Sequence, residues 1–218
     1  MTMNANVTPG TAQDIPLTTE EFLRPDRTVL LMWDMQKGLG GKASNIDTIV
    51  PNAQKLLASA ERASVPVVWS RHILPPMHLI TGPFLLFLMK KQKVDHPSQL
   101  QPTMQRGMEE TEFVDGLVPK EHHIVLEKSQ PSLFVDTPLA LRLKTMGRDT
   151  IVIGGVATEI GVELTCRHAA TLGIYSVVVE DASGSYRKEA HDRSIAFLRE
   201  WTSPVLSTDE VCRVWNNQ

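Results

Sequence analysis

Short, unbroken apolar runs alternate along the chain with longer segments in which apolar residues recur every three or four positions. Thr28-Val29-Leu30-Leu31-Met32-Trp33 is one such run, ending at Asp34. Runs without polar alternation suit strands covered on both faces, as in parallel sheets. Between Ile46 and Ala63, the residues Ile49, Val50, Ala53, Leu56, Leu57 and Ala60 fall on one face of a helix. Val65-Pro66-Val67-Val68-Trp69 predicts a second strand, with Pro66 near its start, where a missing N–H is tolerated. The rhythm returns with a strand at His123–Leu126, ending at Glu127-Lys128, and a helix from Pro138 to Met146 closed by Gly147. A strand at Thr150–Ile153 runs into Gly154-Gly155, and a helix spans Thr158 to Leu172 before Gly173. A strand at Tyr175–Val179 ends at Glu180-Asp181, and a helix covers Arg187 to Glu200. A short strand near Pro204–Leu206 and a helix from Thr208 finish the pattern.

Strand and helix alternating about five times predict an α/β fold, a doubly wound parallel sheet flanked by helices in three layers, Rossmann-like. Residues 1–25 are polar and punctuated by Pro and Gly, and read as an N-terminal arm lying on a neighbouring subunit. Residues 26–218 then form one domain. The segment at about 73–112 breaks the rhythm with Pro75, Pro76, Pro83, Pro97 and Pro102, the apolar stretch Pro83–Met89, and Lys90, Lys91 and Lys93. A long insertion of this kind is a lid or an interface element.

Composition narrows the class. The chain has 218 residues, 42% of them hydrophobic, which excludes wholesale disorder. A formal net charge of −3 gives no general attraction to nucleic acid. The longest apolar run, Phe84–Met89, falls far short of the ~20 residues of a membrane helix. The N-terminus lacks the basic and apolar regions of a secretory signal. The two cysteines, Cys166 and Cys212, form no CxxC pair, so neither a disulfide framework nor a zinc scaffold is expected. The expected protein is cytoplasmic, acts on a small molecule, and has no nucleic-acid or membrane partner. Gly154-Gly155 lacks the GxGxxG context, so no nucleotide or other cofactor is implied.

In open parallel sheets, ligands bind beyond the carboxyl ends of the strands, where the strand order reverses. Asp34, Lys128 and the turn Gly154–Gly161 all fall at such ends. Together they offer an acid, a cation and a helix N-terminus whose N–H groups suit an oxyanion or a carboxylate. Trp33 and Trp69 are candidates for an apolar wall beside them, or for packing between sheet and helices. His72 is a candidate substrate contact at a strand end. His72 and His78 share a His-x5-His spacing, but Ser70 stands where a carboxylate would complete a metal site, so no metal is expected. Arg71 and Arg106 are read as surface groups. His122-His123 and His191 are read as structural, and His168 as a helix-surface residue.

These elements resemble a family. Asp34-Met35-Gln36 after a strand, Lys128 with Ser132, Phe134 and Thr137, and Gly155-Val156-Ala157-Thr158-Glu159-Ile160 with Thr165, Arg167, Ala169 and Gly173 are similar to motifs of the isochorismatase-like (cysteine) hydrolase superfamily. Glu180-Asp181-Ala182-Ser183 with His191 also fits. The resemblance covers about Thr28 to Val211, apart from the insertion. It implies Asp34, Lys128 and Gly161 at the catalytic positions, with Val156, Ala157, Thr158 and Ile160 around the substrate, beside the Trp33, Trp69 and His72 that strand-end position already suggests. It also implies a cis peptide bond between Val156 and Ala157, and a homodimer or homotetramer.

The departure from the pattern matters. The nucleophilic Cys of the superfamily's amidases corresponds here to Gly161, which has no side chain to acylate. Cys166 lies roughly 500° further round the helix and is read as a core thiol. Isochorismatases of the superfamily likewise carry Gly at this position and hydrolyse a vinyl ether by protonation, with no nucleophile. The resemblance then makes Asp34 the general acid and Lys128 the group that positions substrate. A cation beside Asp34 favours the ionised carboxylate, so proton uptake is expected when a substrate anion pairs with Lys128. Two alternatives stay open. One is an amide, ester or hydrazide hydrolase using directly activated water, for which Gly161→Cys tests whether the pocket still suits an amidase. The other is a non-catalytic binding protein, which an acid facing a lysine in a crevice argues against.

Overall fold

A computed structural model describes residues 15–201 and 204–217. Six strands form one parallel sheet: β1 (Thr28–Trp33), β2 (Val67–His72), β3 (Ile124–Lys128), β4 (Thr150–Val156), β5 (Tyr175–Gly184) and β6 (Val205–Leu206). Their order is β3-β2-β1-β4-β5-β6, so the chain reverses direction across the sheet between β1 and β4. The helices are α1 (Thr19–Phe22), α2 (Ile46–Arg62), α3 (Gly82–Gln92), α4 (Leu139–Thr145), α5 (Glu163–Thr171), α6 (Lys188–Glu200) and α7 (Thr208–Asn216). All six residues of β1 are buried, as its unbroken apolar run predicts.

Alternate strand residues feed two cores. Leu30, Met32, Val67 and Trp69 pack with Ile49, Ala53 and Leu56 of α2 and with Trp215 of α7. On the other face, Val29, Leu31, Trp33 and Val68 pack with Leu139 and Leu143 of α4 and Cys166 of α5. Cys166 is thus the core thiol expected of it. The close approach of β1 and β4 explains Gly155. It pairs with Trp33, has φ +138°, and a Cβ there would lie 2.0 Å from the Trp33 carbonyl oxygen.

Several boundaries differ from those expected. β2 continues to His72 and β5 to Gly184, because both gain ladder partners beyond their apolar runs. Glu180 and Asp181 therefore lie inside β5, where Asp181 accepts hydrogen bonds from Thr208 N and Oγ1 (both 2.7 Å) and fixes the start of α7. A wide turn at Thr158–Val162 separates β4 from α5. Of the expected N-terminal arm, residues 1–14 lie outside the described residues. Of the remainder, Ile15 and Leu17 are exposed, whereas Leu23 is wholly buried and its carbonyl accepts the Trp215 indole N–H at 2.9 Å.

The segment 73–112 is an ordered subdomain rather than a bare loop. Leu74, Leu88, Leu100 and Met104 form a small core of their own, joined by Met77, Ile80, Phe84, Leu85, Met89 and Val94. Its two ends meet at Gln36, whose Nε2 donates to the His72 and Thr111 carbonyls (3.1 and 3.0 Å) and whose Oε1 accepts from His72 N at 2.6 Å. The segment thereby sits over the carboxyl end of β2. Leu79, Leu86 and Phe87 remain exposed on its outer side.

Candidate active site

β1 and β4 are adjacent at the reversal point, and the chain that follows each supplies one side of the site. Asp34, the first residue after β1, takes a left-handed conformation (φ 44°) that turns the chain out of the sheet. It is 4% exposed, and Lys128, the last residue of β3, is 6% exposed. Lys128 Nζ donates to Asp34 Oδ2 at 2.5 Å, and Ser70 Oγ donates to Oδ1 at 2.5 Å while accepting from Asp34 N at 2.8 Å. Burial pulls Lys128 below the usual lysine range, and Asp34 opposes that pull. The Lys128 ammonium also lies over the Trp33 ring, 4.4 Å from its centroid.

His72 borders the pair, in register with Lys128 across β2 and β3. Its Nδ1 is buried without a hydrogen-bond partner, and Phe84 of α3 lies against it with ring centroids 6.2 Å apart. Burial first, then Lys128, push the imidazole down to about 4, so it is neutral at ordinary pH. Tyr186 faces the same space. Burial first, then the charges of Asp34 and Glu159, push its hydroxyl up to about 12. Lys91 of α3 stands 5.8 Å from the Tyr186 ring centroid. Desolvation and Lys42 lower it from the ordinary lysine value. Neither Lys42 nor Lys91 forms a salt bridge among the described residues.

The Val156-Ala157 peptide bond is cis. Beyond it, the N–H groups of Ile160, Gly161 and Val162 converge on the Ala157 carbonyl at 3.2, 3.0 and 3.4 Å. These donors, expected to face a substrate oxyanion, are already engaged by the wide turn. Thr158 also differs from expectation. Its hydroxyl is wholly buried, donating to the Gly184 carbonyl at 2.9 Å and bonded to His191 Nδ1 at 2.8 Å, so it braces the turn against β5 and α6. Val156 and Ala157 are buried, whereas Ile160 is 40% exposed. Gly161 lies against the edge of the Trp33 indole, so a Gly161→Cys side chain meets Trp33 before it reaches the crevice.

Trp69 does not join Trp33 in a wall. Met32 pairs with Trp69, so Trp33 and Trp69 point to opposite faces of the sheet. The Trp69 indole packs on Phe113 and donates to His123 Nδ1 at 3.1 Å. Arg71 and Arg106 are likewise engaged within the protein, Arg71 by the Thr111 carbonyl and Arg106 by Glu127. Sequence reasoning missed Ser70, Tyr186 and the closeness of Lys42 to Lys91. Ser70 was legible only as a position two residues before His72, because its partnership with Asp34 is made across strands.

A groove of about 560 Å³ opens beside this cluster, with Lys128, Ser129, Asp136, Gln105, Arg106 and Pro75 in its wall. Potential metal donors come together elsewhere, as Glu61, His122 and His123 near the opposite ends of the strands. There, His123 Nδ1 accepts from both Trp69 Nε1 and Lys120 N, each at 3.1 Å. The proton of the neutral ring therefore sits on Nε2, which leaves no lone pair facing Glu61 for a cation.

Comparison with known proteins agrees with this geometry. Residues 28–210 match the model of the isochorismatase domain. The chain is 30% identical over 197 residues to the uncharacterized isochorismatase family protein YecD of Escherichia coli O157:H7, covering 87% of this chain and 96% of that one. It is 27% identical over 204 residues to a probable isochorismatase of Pseudomonas chlororaphis, covering 92% and 93%. The crystal structure of a cysteine hydrolase from Pseudomonas syringae pv. phaseolicola 1448A superposes with a TM-score of 0.78 at 23% identity, covering 88% and 94%. Its sheet and helices are therefore those of the isochorismatase-like fold, and the chain belongs to the isochorismatase family of hydrolases.

Proposed function

We propose that this hydrolase cleaves a vinyl ether of a small anionic substrate through acid catalysis by Asp34, without a covalent intermediate. The carrying observation is the buried Asp34–Lys128 pair, set beside a turn whose residue 161 has no side chain. Lys42 and Lys91, neighbours that form no salt bridge among the described residues, support an anionic substrate.

In this reading, a substrate carboxylate approaches Lys128 and competes with Asp34 for its ammonium. With the pull of that ammonium shared between substrate and enzyme, Asp34 takes up a proton from water while Lys128 stays charged. Protonated Asp34 then delivers that proton to the methylene carbon of the vinyl ether, leaving an oxocarbenium ion. Water adds to the cationic carbon and loses a proton to solvent. The resulting hemiketal collapses to pyruvate and an alcohol. Ser70 holds the other carboxylate oxygen, so Asp34 keeps one orientation through the cycle. Neutral His72 offers substrate a hydrogen bond without adding positive charge.

The test is incubation with isochorismate, following pyruvate release, with Asp34→Asn as the matched control. Release by the wild type and not by the variant is expected. No release by the wild type overturns the vinyl-ether reading and moves the search to amides, esters and hydrazides.

A further inference from the structure

The glycine at 161 leaves no empty space. A Cβ built there would lie 2.1 Å from Nε1, 2.3 Å from Cε2 and 2.5 Å from Cζ2 of Trp33. Such separations lie far inside van der Waals contact. Trp33 cannot easily step aside. It is 1% exposed, packs in the core with Leu31, Leu133 and Val162, and carries the Lys128 ammonium against its ring. Its backbone is held too, because the Trp33 carbonyl fits against Gly155 and leaves no room for a Cβ there.

From this we infer that Trp33 is a specificity-determining residue, whose indole edge fills the volume from which a side chain at 161 would attack substrate. The inference rests on the reading of the site as a non-covalent hydrolase, and adds what enforces it. Replacing glycine by cysteine alone does not open a covalent route, because the thiol has nowhere to stand. The atom nearest the missing Cβ is Nε1, which can only donate a hydrogen bond. No other described residue accepts that bond. The site thus presents an N–H donor, suited to a substrate oxygen, where a nucleophile would otherwise begin.

A double-mutant cycle between positions 33 and 161 tests the inference by thermal unfolding. Gly161→Ala adds one methyl group and should lower Tm by about 5 °C or more when Trp33 is present. In the Trp33→Leu background, the same substitution should cost little. Trp33→Met, whose flexible side chain can vacate the edge that meets residue 161, repeats the cycle if leucine leaves too large a cavity. An equal Tm loss in both backgrounds, or an undiminished Tm for Gly161→Ala alone, overturns the proposal.

Thiol reactivity gives a second measure. Iodoacetamide should alkylate the introduced thiol of Gly161→Cys at least tenfold more slowly than that of Gly161→Cys combined with Trp33→Leu, as read by peptide mass mapping. Equal rates overturn the proposal. Neither measurement involves pyruvate, so failure of the vinyl-ether reading and failure of this inference are separate results.

Discussion

Replacing Asp34 by Asn isolates the charge of the buried pair. Asn tolerates the left-handed φ of 44° at this position, so backbone strain stays nearly constant, whereas Ala would add its own cost. The side chains of Lys128 and Asp34 are only 2% and 6% exposed, so solvent screens neither. Removing one partner of such a pair costs ~3–5 kcal/mol, because the remaining charge is left buried. Asn keeps an oxygen that can accept from Lys128, which places the cost near the lower limit, about 3 kcal/mol. For a chain of this size, that lowers Tm by roughly 6–12 °C at pH 7. The pH dependence follows from Lys128. Burial depresses its folded-state value below the unfolded one, and losing Asp34 depresses it further. A buried cation of this kind penalises the fold below its folded-state value. The penalty fades as pH rises toward the unfolded lysine value near ~10.4. Denaturant unfolding of wild type and variant at pH 7 and pH 10 should therefore show the gap narrowing at the higher pH. A variant within about 0.5 kcal/mol of wild type at pH 7, or a gap that widens at pH 10, would refute the argument.

Other consequences are equally direct. Burial holds His72 at about 4 in the folded state, below the ordinary imidazole value of 6.5, so its contribution to stability is lost as pH falls through that window. His72→Gln should therefore lose about 3 kcal/mol less than wild type between pH 7 and pH 4 in chemical unfolding, and an identical acid profile counts against it. Trp69→Phe removes the donor to His123 on the far side of the sheet. It should lower stability by about 1–2 kcal/mol while leaving kcat on the cleaved substrate unchanged, and a kcat loss would place Trp69 back at the site. Gly155→Ala meets the Trp33 carbonyl and should abolish recovery of folded protein, as judged by soluble yield and circular dichroism.

What the sequence revealed and what it hid divide along physical lines. The β1 run and the 3.6-residue period of α2 were legible because each is a local consequence of which face is covered. Asp34 and Lys128 were legible as polar residues ending apolar strands. Trp69 was misplaced because the direction of a strand side chain depends on cross-strand register. One step of register separates Trp33 from Trp69, and alternation within either strand does not reveal it. β5 was read as too short because Glu180-Asp181 looks like a strand end, yet ladder pairing with β4 carries it on to Gly184. The missing room at Gly161 depends on a contact between residues 128 positions apart in sequence, which no local pattern encodes.

The three hydrogen bonds by which Gln36 holds both ends of the 73–112 segment also bear on how such a protein can diversify. Where one side chain fastens the entrance and the exit together, the chain between them is a cassette with a fixed footprint. Halving or doubling its length changes the closure cost by only about 0.6 kcal/mol. The side-chain bonds that join Asp34 to Lys128 and Ser70 are all made outside the cassette, so they do not depend on its length. Lineages could therefore exchange this cassette wholesale, retaining the acid while choosing a new substrate, provided that the glutamine stays.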